Sequence, residues 1–127
     1  MSENIQERIA RNGKPVNIAG NVSQLLSGRG NAWWVESGTA EVFAFAQRPG
    51  GTTGRRIHKF TAGPGSLLLG IDVSEAGGSA GLIAVGLGEC RLMQVSMAQL
   101  KKWAAESENL AGEVARLIDG WILSFSS

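Results

Sequence analysis

The longest stretch of strand-type patterning runs from Trp33 to Phe45: Trp33-Trp34-Val35-Glu36-Ser37-Gly38-Thr39-Ala40-Glu41-Val42-Phe43-Ala44-Phe45. It reads as two strands joined at Ser37-Gly38, because strand-forming residues bounded by glycine are what a sharply turning sheet requires. From Thr39 onward the period is two. Ala40, Val42, Ala44 and Ala46 share one face while Glu41, Phe43 and Phe45 share the other, so both faces are expected to be at least partly covered. Gln47 to Gly54 is polar and rich in glycine, suited to an exposed hairpin tip. The chain then returns through Arg55-Arg56-Ile57-His58-Lys59-Phe60-Thr61, with Ile57, Lys59 and Thr61 facing opposite to His58 and Phe60. Pairing of this return with Thr39 to Ala46 is the simplest topology.

Shorter elements flank this pair. Val16 to Ile18 suits a strand, while Ser23 to Leu26 is an apolar patch that the pattern leaves unassigned, and Ser27 to Asn31 is a turn by composition. Beyond a second turn at Ala62-Gly63-Pro64-Gly65, Ser66 to Ile71 reads as a short, largely buried strand and Asp72 to Gly81 as a loop. Leu82 to Leu87 and Cys90 to Val95 are expected to form a last hairpin with Gly88-Glu89 at its tip.

Helical spacing appears only at the two ends. Ile5 and Ile9 lie on one face of a short helix that Ser2 can cap, with Glu3 and Glu7 toward its positive end and Gly13 and Pro15 stopping it. Ser96-Met97-Ala98-Gln99 matches a capping box and opens a helix carrying Leu100, Trp103 and Ala104 on one side. A second helix after Ser107 or Glu108 carries Leu110, Val114, Leu117, Ile118, Trp121 and Phe125 at helical spacing. Gly112 and Gly120 weaken it by about 1 kcal/mol each relative to alanine, unless close packing offsets the loss. The stripe running on to Phe125 calls for a partner surface, supplied by the sheet, by another chain or by a continuation of this one. The pattern thus divides a single domain into an N-terminal helix (1–15), a β-roll (16–95) and C-terminal helices (96–127).

Composition narrows the picture further. At 127 residues the chain can bury a real core without disulfides or metal, and 18 glycines with four phenylalanines and no tyrosine suggest many turns around an aliphatic interior. Twelve Lys and Arg against eleven Asp and Glu leave a formal charge of +1, a field too weak to imply nucleic acid or an anionic membrane. The single Cys90 cannot form an internal disulfide and reads as a buried thiol in a reducing compartment, with a reactive thiol as the alternative. The polar, acid-bearing N-terminus is neither a secretory signal nor a transit peptide. No apolar run approaches the ~20 residues of a membrane span, so the expected location is cytoplasmic.

Candidate chemistry is sparse. His58 is the only histidine, which excludes a multi-histidine metal site; a metal would need Glu36, Glu41, Asp72 or Glu89 to converge with it, and no spacing demands that. No catalytic constellation stands out, so the expectation is a protein that is not an enzyme and carries no metal or cofactor. The basic run Arg55, Arg56, His58 and Lys59 is either a grip for an acidic peptide or phosphorylated partner, or a solvated strand paired with Glu36 or Glu41. Adjacent Trp33 and Trp34 must point to opposite faces of a strand. One goes to the core, and the outward one either anchors an interface or lies beneath the terminal helices.

Strands, the turn Phe60-Thr61-Ala62-Gly63-Pro64-Gly65, an apolar segment ending in Gly70, further strands and terminal helices resemble the cyclic-nucleotide-binding-like β-roll. The expected fold class is therefore mainly β, a cupin-like antiparallel β-roll or jelly roll with a short N-terminal helix and one or two C-terminal helices. More narrowly, Trp34 to Phe43 with its Val-Glu-Ser-Gly element, then Arg55-Arg56-Ile57-His58-Lys59-Phe60, then Gly63 with Leu68-Leu69-Gly70, look like the N-terminal regulatory-type domain of bacteriocin-export ABC transporters of the NHLM or NHLP type. Leu117-Ile118-Asp119-Gly120-Trp121-Ile122 is similar to the helix that follows the roll there. The likeness covers most of the chain from Asn21 onward.

That resemblance implies a non-catalytic accessory domain of a peptide exporter, mediating leader-peptide or intra-transporter contacts, at the cytoplasmic face of the inner membrane. Its implied partners are the transmembrane and ATPase parts of the exporter or the peptide cargo; the charge balance adds the expectation of no nucleic acid, the absence of a long apolar run that of no membrane insertion by this chain, and the apolar stripe of the last helix leaves a homodimer through the C-terminal helices as one option. Neither a Gly-x-x-x-x-Gly-Lys-Ser/Thr phosphate loop nor a membrane span is present, so the polypeptide reads as an excised domain or a stand-alone relative. In nucleotide-binding members of the superfamily a Gly-Glu pair lies near the ribose hydroxyl and an arginine at the cyclic phosphate. Here Gly70 is followed by Ile71 and Asp72, the phosphate segment falls at Gly77 to Gly81 around Ser79, and no arginine lies between Arg56 and Arg91. Gly70, Asp72 and Ser79 are then the candidate ligand residues of a degenerate site, with simple loop shaping as their other role. A domain that senses a nucleotide or another small molecule is the alternative function.

Overall fold

Two long antiparallel strands form the spine of the molecule in a computed structural model. It describes residues 3–20, 22–47, 53–71 and 79–126, with the backbone alone at 46–47, 53–55 and 79–80. The element order is α1 (Ile5–Asn12), β1 (Lys14–Ala19), β2 (Ser23–Leu25), β3 (Asn31–Gln47), β4 (Thr53–Ala62), β5 (Leu67–Leu69), β6 (Ser79–Ser96), α2 (Met97–Ala104) and α3 (Glu108–Ser126). β3 and β6 pair along their whole lengths, from Asn31 opposite Ser96 to Gln47 opposite Ser79. β1 pairs with the Glu89–Gln94 part of β6 and β5 with Ala32–Trp34 of β3, making one leaf. β2 pairs with Ile83–Val85 and β4 with the Ala40–Gln47 part of β3, making the other. Mainly antiparallel sheet with a short N-terminal helix and C-terminal helices is the fold expected above.

The leaves join where both long strands break register together. Shifts fall between Val35 and Ser37 and between Ser37 and Thr39, opposite the Leu87–Arg91 part of β6. Gly38 and Gly88 take φ of +81° and +74°, the left-handed region that favours glycine. At Gly38 a Cβ would also sit 2.1 Å from the Glu89 carbonyl oxygen, so no side chain fits there. The expected turns at Ser37-Gly38 and Gly88-Glu89 are therefore corrected: they are facing irregularities within two continuous strands, not hairpin tips. Glycine at positive φ serves a bulge as well as a turn, and the bulge bends the ladder over itself.

Alternation across β3 then fills two cores. On the inner side, between the leaves, lie Trp33, Val35, Ala40 and Val42 with Ile18, Leu68, Leu82, Ala84 and Leu92. On the outer side of the first leaf, Ala32, Trp34, Leu67, Met93 and Val95 are covered by Ile5 and Ile9 of α1, Leu100 and Trp103 of α2, and Leu110 and Val114 of α3. Trp33 is 1% exposed and Trp34 8%. Burying an indole of roughly 150–250 Å² contributes about 4–6 kcal/mol at most by area, before the entropy of ordering it. Of the two alternatives for the outward ring, cover by the terminal helices is the one observed: Trp34 packs beneath them and is not an exposed anchor.

Local signals place the helices. The capping box is formed: the Gln99 N–H donates to Ser96 Oγ at 3.0 Å and the Ser96 N–H to Gln99 Oε1 at 3.0 Å. Asn4 caps α1, its Oδ1 accepting from the Glu7 N–H at 2.8 Å; Ser2, the expected cap, lies outside the described residues. Ser107 Oγ accepts from the Leu110 N–H at 3.1 Å at the start of α3.

Candidate functional site

α3 starts over the outer core and ends on the inner one. Trp121, 8% exposed, joins the inner cluster while Leu110 and Val114 of the same helix belong to the outer cluster. Trp121 meets Phe60 of β4 edge-on, with ring centroids 5.6 Å apart, and Phe125 stacks on it at 5.8 Å. Lys59 Nζ stands 5.4 Å from the Phe125 ring, in the range of a cation–π contact.

Phe60 points inward because of a bulge. Phe60 lies opposite Val42 while His58 lies opposite Phe43, so Lys59 is the extra residue. The pleat resets there, which corrects the expectation that His58 and Phe60 share a face.

Between α3 and the β4–β5 turn lies a cleft of about 200 Å³. Phe60, Trp121 and Leu67 are among its apolar lining residues and Ser66, Ser124 and Arg116 among its polar ones, while the Arg116 guanidinium reaches back toward Gly112 and a neighbouring groove bordered by Glu3, Glu108 and Glu113. The turn is tied to β3: the Gly65 N–H donates to the Val35 carbonyl and the Val35 N–H to the Ser66 carbonyl, each at 2.8 Å. Gly65 holds φ of +91°. Apolar walls with a few convergent polar groups are the usual make-up of a small-molecule site. Gly120 also lines the cleft, and a Cβ there would meet nothing within 4 Å. At Gly112 a Cβ would meet only Arg116 Nη1, at 3.9 Å, so neither glycine is explained by close packing against another element.

A second polar cluster lies on the outer face of the β3–β4 hairpin. His58 Nε2 pairs with Glu41 Oε2, and the Thr61 hydroxyl donates to that oxygen at 2.7 Å. The Thr61 hydrogen bond first, and the His58 hydrogen bond next, hold the Glu41 carboxyl below the usual carboxylate range. Phe43 presents its ring to His58 at 5.3 Å, edge to face. Glu36 pairs instead with Arg91, at 3.0 Å. Of the basic run, Arg56, His58 and Lys59 are exposed, and the Arg55 side chain lies outside the described residues.

The other expected site residues stand as follows. Gly70 is held against the loop before β3: its Cβ would lie 2.1 Å from the Gly28 carbonyl oxygen, and its N–H donates to the Asn31 carbonyl at 2.9 Å. That contact accounts for a glycine without any ligand. Asp72 lies outside the described residues, as does the side chain of Ser79. Cys90 is buried, and burial pushes its thiol pKa up. Among the described residues no group of three His, Cys, Asp or Glu side chains converges as a metal site. No helix among them is long and apolar enough to cross a membrane. Arg116 and the Phe60–Trp121 contact escaped the sequence reading. The signal available was the pair of helix-interior glycines, each one turn from Arg116.

Comparison with known proteins supports the fold class read from this geometry, a cyclic-nucleotide-binding-like β-roll. No protein-family profile matches the chain, and no curated protein does. Among solved structures, oxidised CprK in complex with o-chlorophenolacetic acid superposes with a TM-score of 0.65 at 12% identity, over 95% of this chain and 48% of that one. The c-di-GMP-responsive global regulator CLP of Xanthomonas campestris gives 0.61 at 14% identity over 95% and 59%, and FixK2 of Bradyrhizobium japonicum 0.57 at 16% over 90% and 54%. The chain spans about half the length of these structures.

These neighbours correct the partner expectations. CLP is described as linking cell–cell signalling to virulence gene expression, and none of the three is described as an exporter. The exclusion of nucleic acid is withdrawn. A near-neutral sum of charges leaves room for a local basic surface, so it does not by itself exclude nucleic acid.

Proposed function

We propose that this chain is a non-catalytic sensing domain, which binds a small molecule and passes its occupancy to the C-terminal helix. The carrying observation is the path of α3, whose Trp121 is part of the inner core while Leu110 and Val114 pack on the outer one. A ligand that rearranges the groups around Phe60 and Trp121 must therefore shift the helix, and differential contact with two arrangements is what a sensor requires. The neighbours lend support, since CprK was captured with an organic acid and CLP responds to a cyclic dinucleotide. The exporter reading is set aside, because nothing in the site calls for a peptide and none of the neighbours named above is an exporter.

The test is calorimetry with cyclic AMP, cyclic GMP, cyclic di-GMP and small organic acids, joined to amide exchange across α3. Saturable binding accompanied by changed protection between Leu117 and Phe125 is the expected outcome. Saturable binding that leaves α3 protection unchanged would refute the coupling.

A further inference from the structure

We propose that β4 carries a pH-dependent register switch: protonated His58, paired with Glu41, holds the bulge at Lys59, and loss of that charge lets Lys59 take the place of His58 and frees the end of α3. The switch needs no ligand and goes beyond the sensing reading, although both act through α3.

Glu41 is a clamp across the bulge. It lies opposite Thr61, and Phe43 lies opposite His58, with Lys59 as the extra residue between the two registers. One carboxylate oxygen, Oε2, accepts the Thr61 hydroxyl at 2.7 Å from one side of the bulge and pairs with His58 Nε2 from the other. Lys59 is thereby turned toward α3, where its Nζ stands 5.4 Å from the Phe125 ring that stacks on Trp121. A regular ladder is one step away. If the His58 side of β4 slides by one residue, Lys59 falls opposite Phe43 and His58 opposite Ala44, and because side chains alternate the two exchange faces. Lys59 then stands on the outer face, diagonal to Glu41, where its ammonium can pair with the carboxylate, and Phe125 loses its cation. The second register shift, between Phe45 and Gln47 toward the hairpin end, is where such a slide is absorbed.

Charge selects between the two arrangements. Histidine is the side chain whose charge changes between about pH 5 and 8, whereas a lysine ammonium keeps its charge throughout. Glu41, held below the usual carboxylate range, stays ionised there. An imidazolium makes a charge-assisted bond to a carboxylate; a neutral imidazole makes one about half as strong, and it can turn in beside Ala44, which packs on the inner core, without desolvating a charge. Both effects favour the bulge at low pH and the slide at high pH. Among the described residues beside the pair, Arg56, opposite Phe45 on the same face, adds a fixed charge. β6 presents Val85, Ile83 and Gly81 there and β2 presents Ser23 and Leu25, none of them charged. For a pair this exposed, the ratio of the two arrangements is expected to change by a factor of about two to five.

The experiment follows the full chain, without ligand, by NMR between about pH 5 and 8. His58 is the only histidine, so its ring signals identify themselves, and Trp121→Phe identifies the Trp121 indole N–H. The Trp121 signal is expected to move with the same midpoint as the His58 ring. Cross-strand proton contacts from Phe43 are expected to pass from His58 toward Lys59 as pH rises, their ratio changing by about the factor above. Glu41→Gln, which removes the clamp, and Lys59→Met, which removes the cation on Phe125, are each expected to abolish the Trp121 movement while the other indole signals stay in place and the His58 ring still titrates. A Trp121 signal indifferent to pH while His58 titrates, an unchanged ratio of the Phe43 contacts, or a Trp121 movement that survives in either variant overturns the proposal. None of these outcomes involves a ligand, so the sensing reading stands or falls on its own calorimetry.

Discussion

Replacing Gly70 by alanine separates a ligand role from a structural one. The added Cβ would lie 2.1 Å from the Gly28 carbonyl oxygen and 3.0 Å from that of Ser27, and both neighbours are backbone. Relief requires the segment after β5 to move away from the loop before β3 by more than about 1 Å, since ordinary contact of a Cβ begins at 3.4 Å. The hydrogen bonds that cross this seam are Gly70 N–H to the Asn31 carbonyl at 2.9 Å, Ile71 N–H to Leu26 at 3.1 Å and Gly28 N–H to Ile71 at 3.2 Å. At about 1 kcal/mol each, losing them costs about 3 kcal/mol. Alanine offsets roughly 0.4–1 kcal/mol of that through a less flexible unfolded chain. The net loss is then about 2–3 kcal/mol. For 127 residues 1 kcal/mol corresponds to about 4 °C, so calorimetry or circular dichroism should show Tm falling by roughly 8–12 °C. Gly120→Ala is the internal control, because its Cβ meets nothing and the helix gains up to about 1 kcal/mol, or a rise of about 4 °C. An unchanged Tm in G70A would refute the close approach and return Gly70 to the list of ligand candidates.

Three further outcomes follow from the same contacts. Ser96→Ala removes the acceptor for the Gln99 N–H and should cost about 1 kcal/mol, read as a fall of about 4 °C in Tm; no change would mean that α2 does not depend on its cap. Glu41 has a lowered pKa in the fold, so its contribution is complete above the usual carboxylate range and is lost as pH falls through the lower native value. Glu41→Gln should therefore flatten the acid limb of a stability–pH curve, and an unchanged limb would contradict the Thr61 and His58 contacts. Trp121→Ala should release the end of α3, with amides beyond Leu117 losing exchange protection before those of β3 and β6.

Several features of the fold were legible in the residues alone. Alternation placed Ala40 and Val42 on one face, and the indoles of Trp33 and Trp34 on opposite faces, because side chains in a strand alternate whatever lies beyond them. The Ser96-Gln99 capping box marked the start of α2 because both partners of each bond sit within one helical turn. The hairpin of β3 with β4 followed from two patterned runs around a polar glycine-rich loop. The candidate cleft was not legible. Its walls, Ser66, Phe60 and Trp121, come from three elements, and Phe60 reaches it only because a bulge at Lys59 changes its face.

By itself, then, the sequence determined which residues prefer strand, turn or helix and which face each would show, since those preferences arise from the backbone and its nearest neighbours. Only the tertiary structure decided whether glycine at 38 and 88 reverses the chain or bends a continuous strand. That choice depends on the pairing of Asn31 with Ser96 and of Gln47 with Ser79, contacts between residues far apart along the chain. The same holds for what covers Trp34 and for the meeting of Trp121 with Phe60. A local pattern specifies that an apolar face must be covered, and the packing of distant elements selects what covers it.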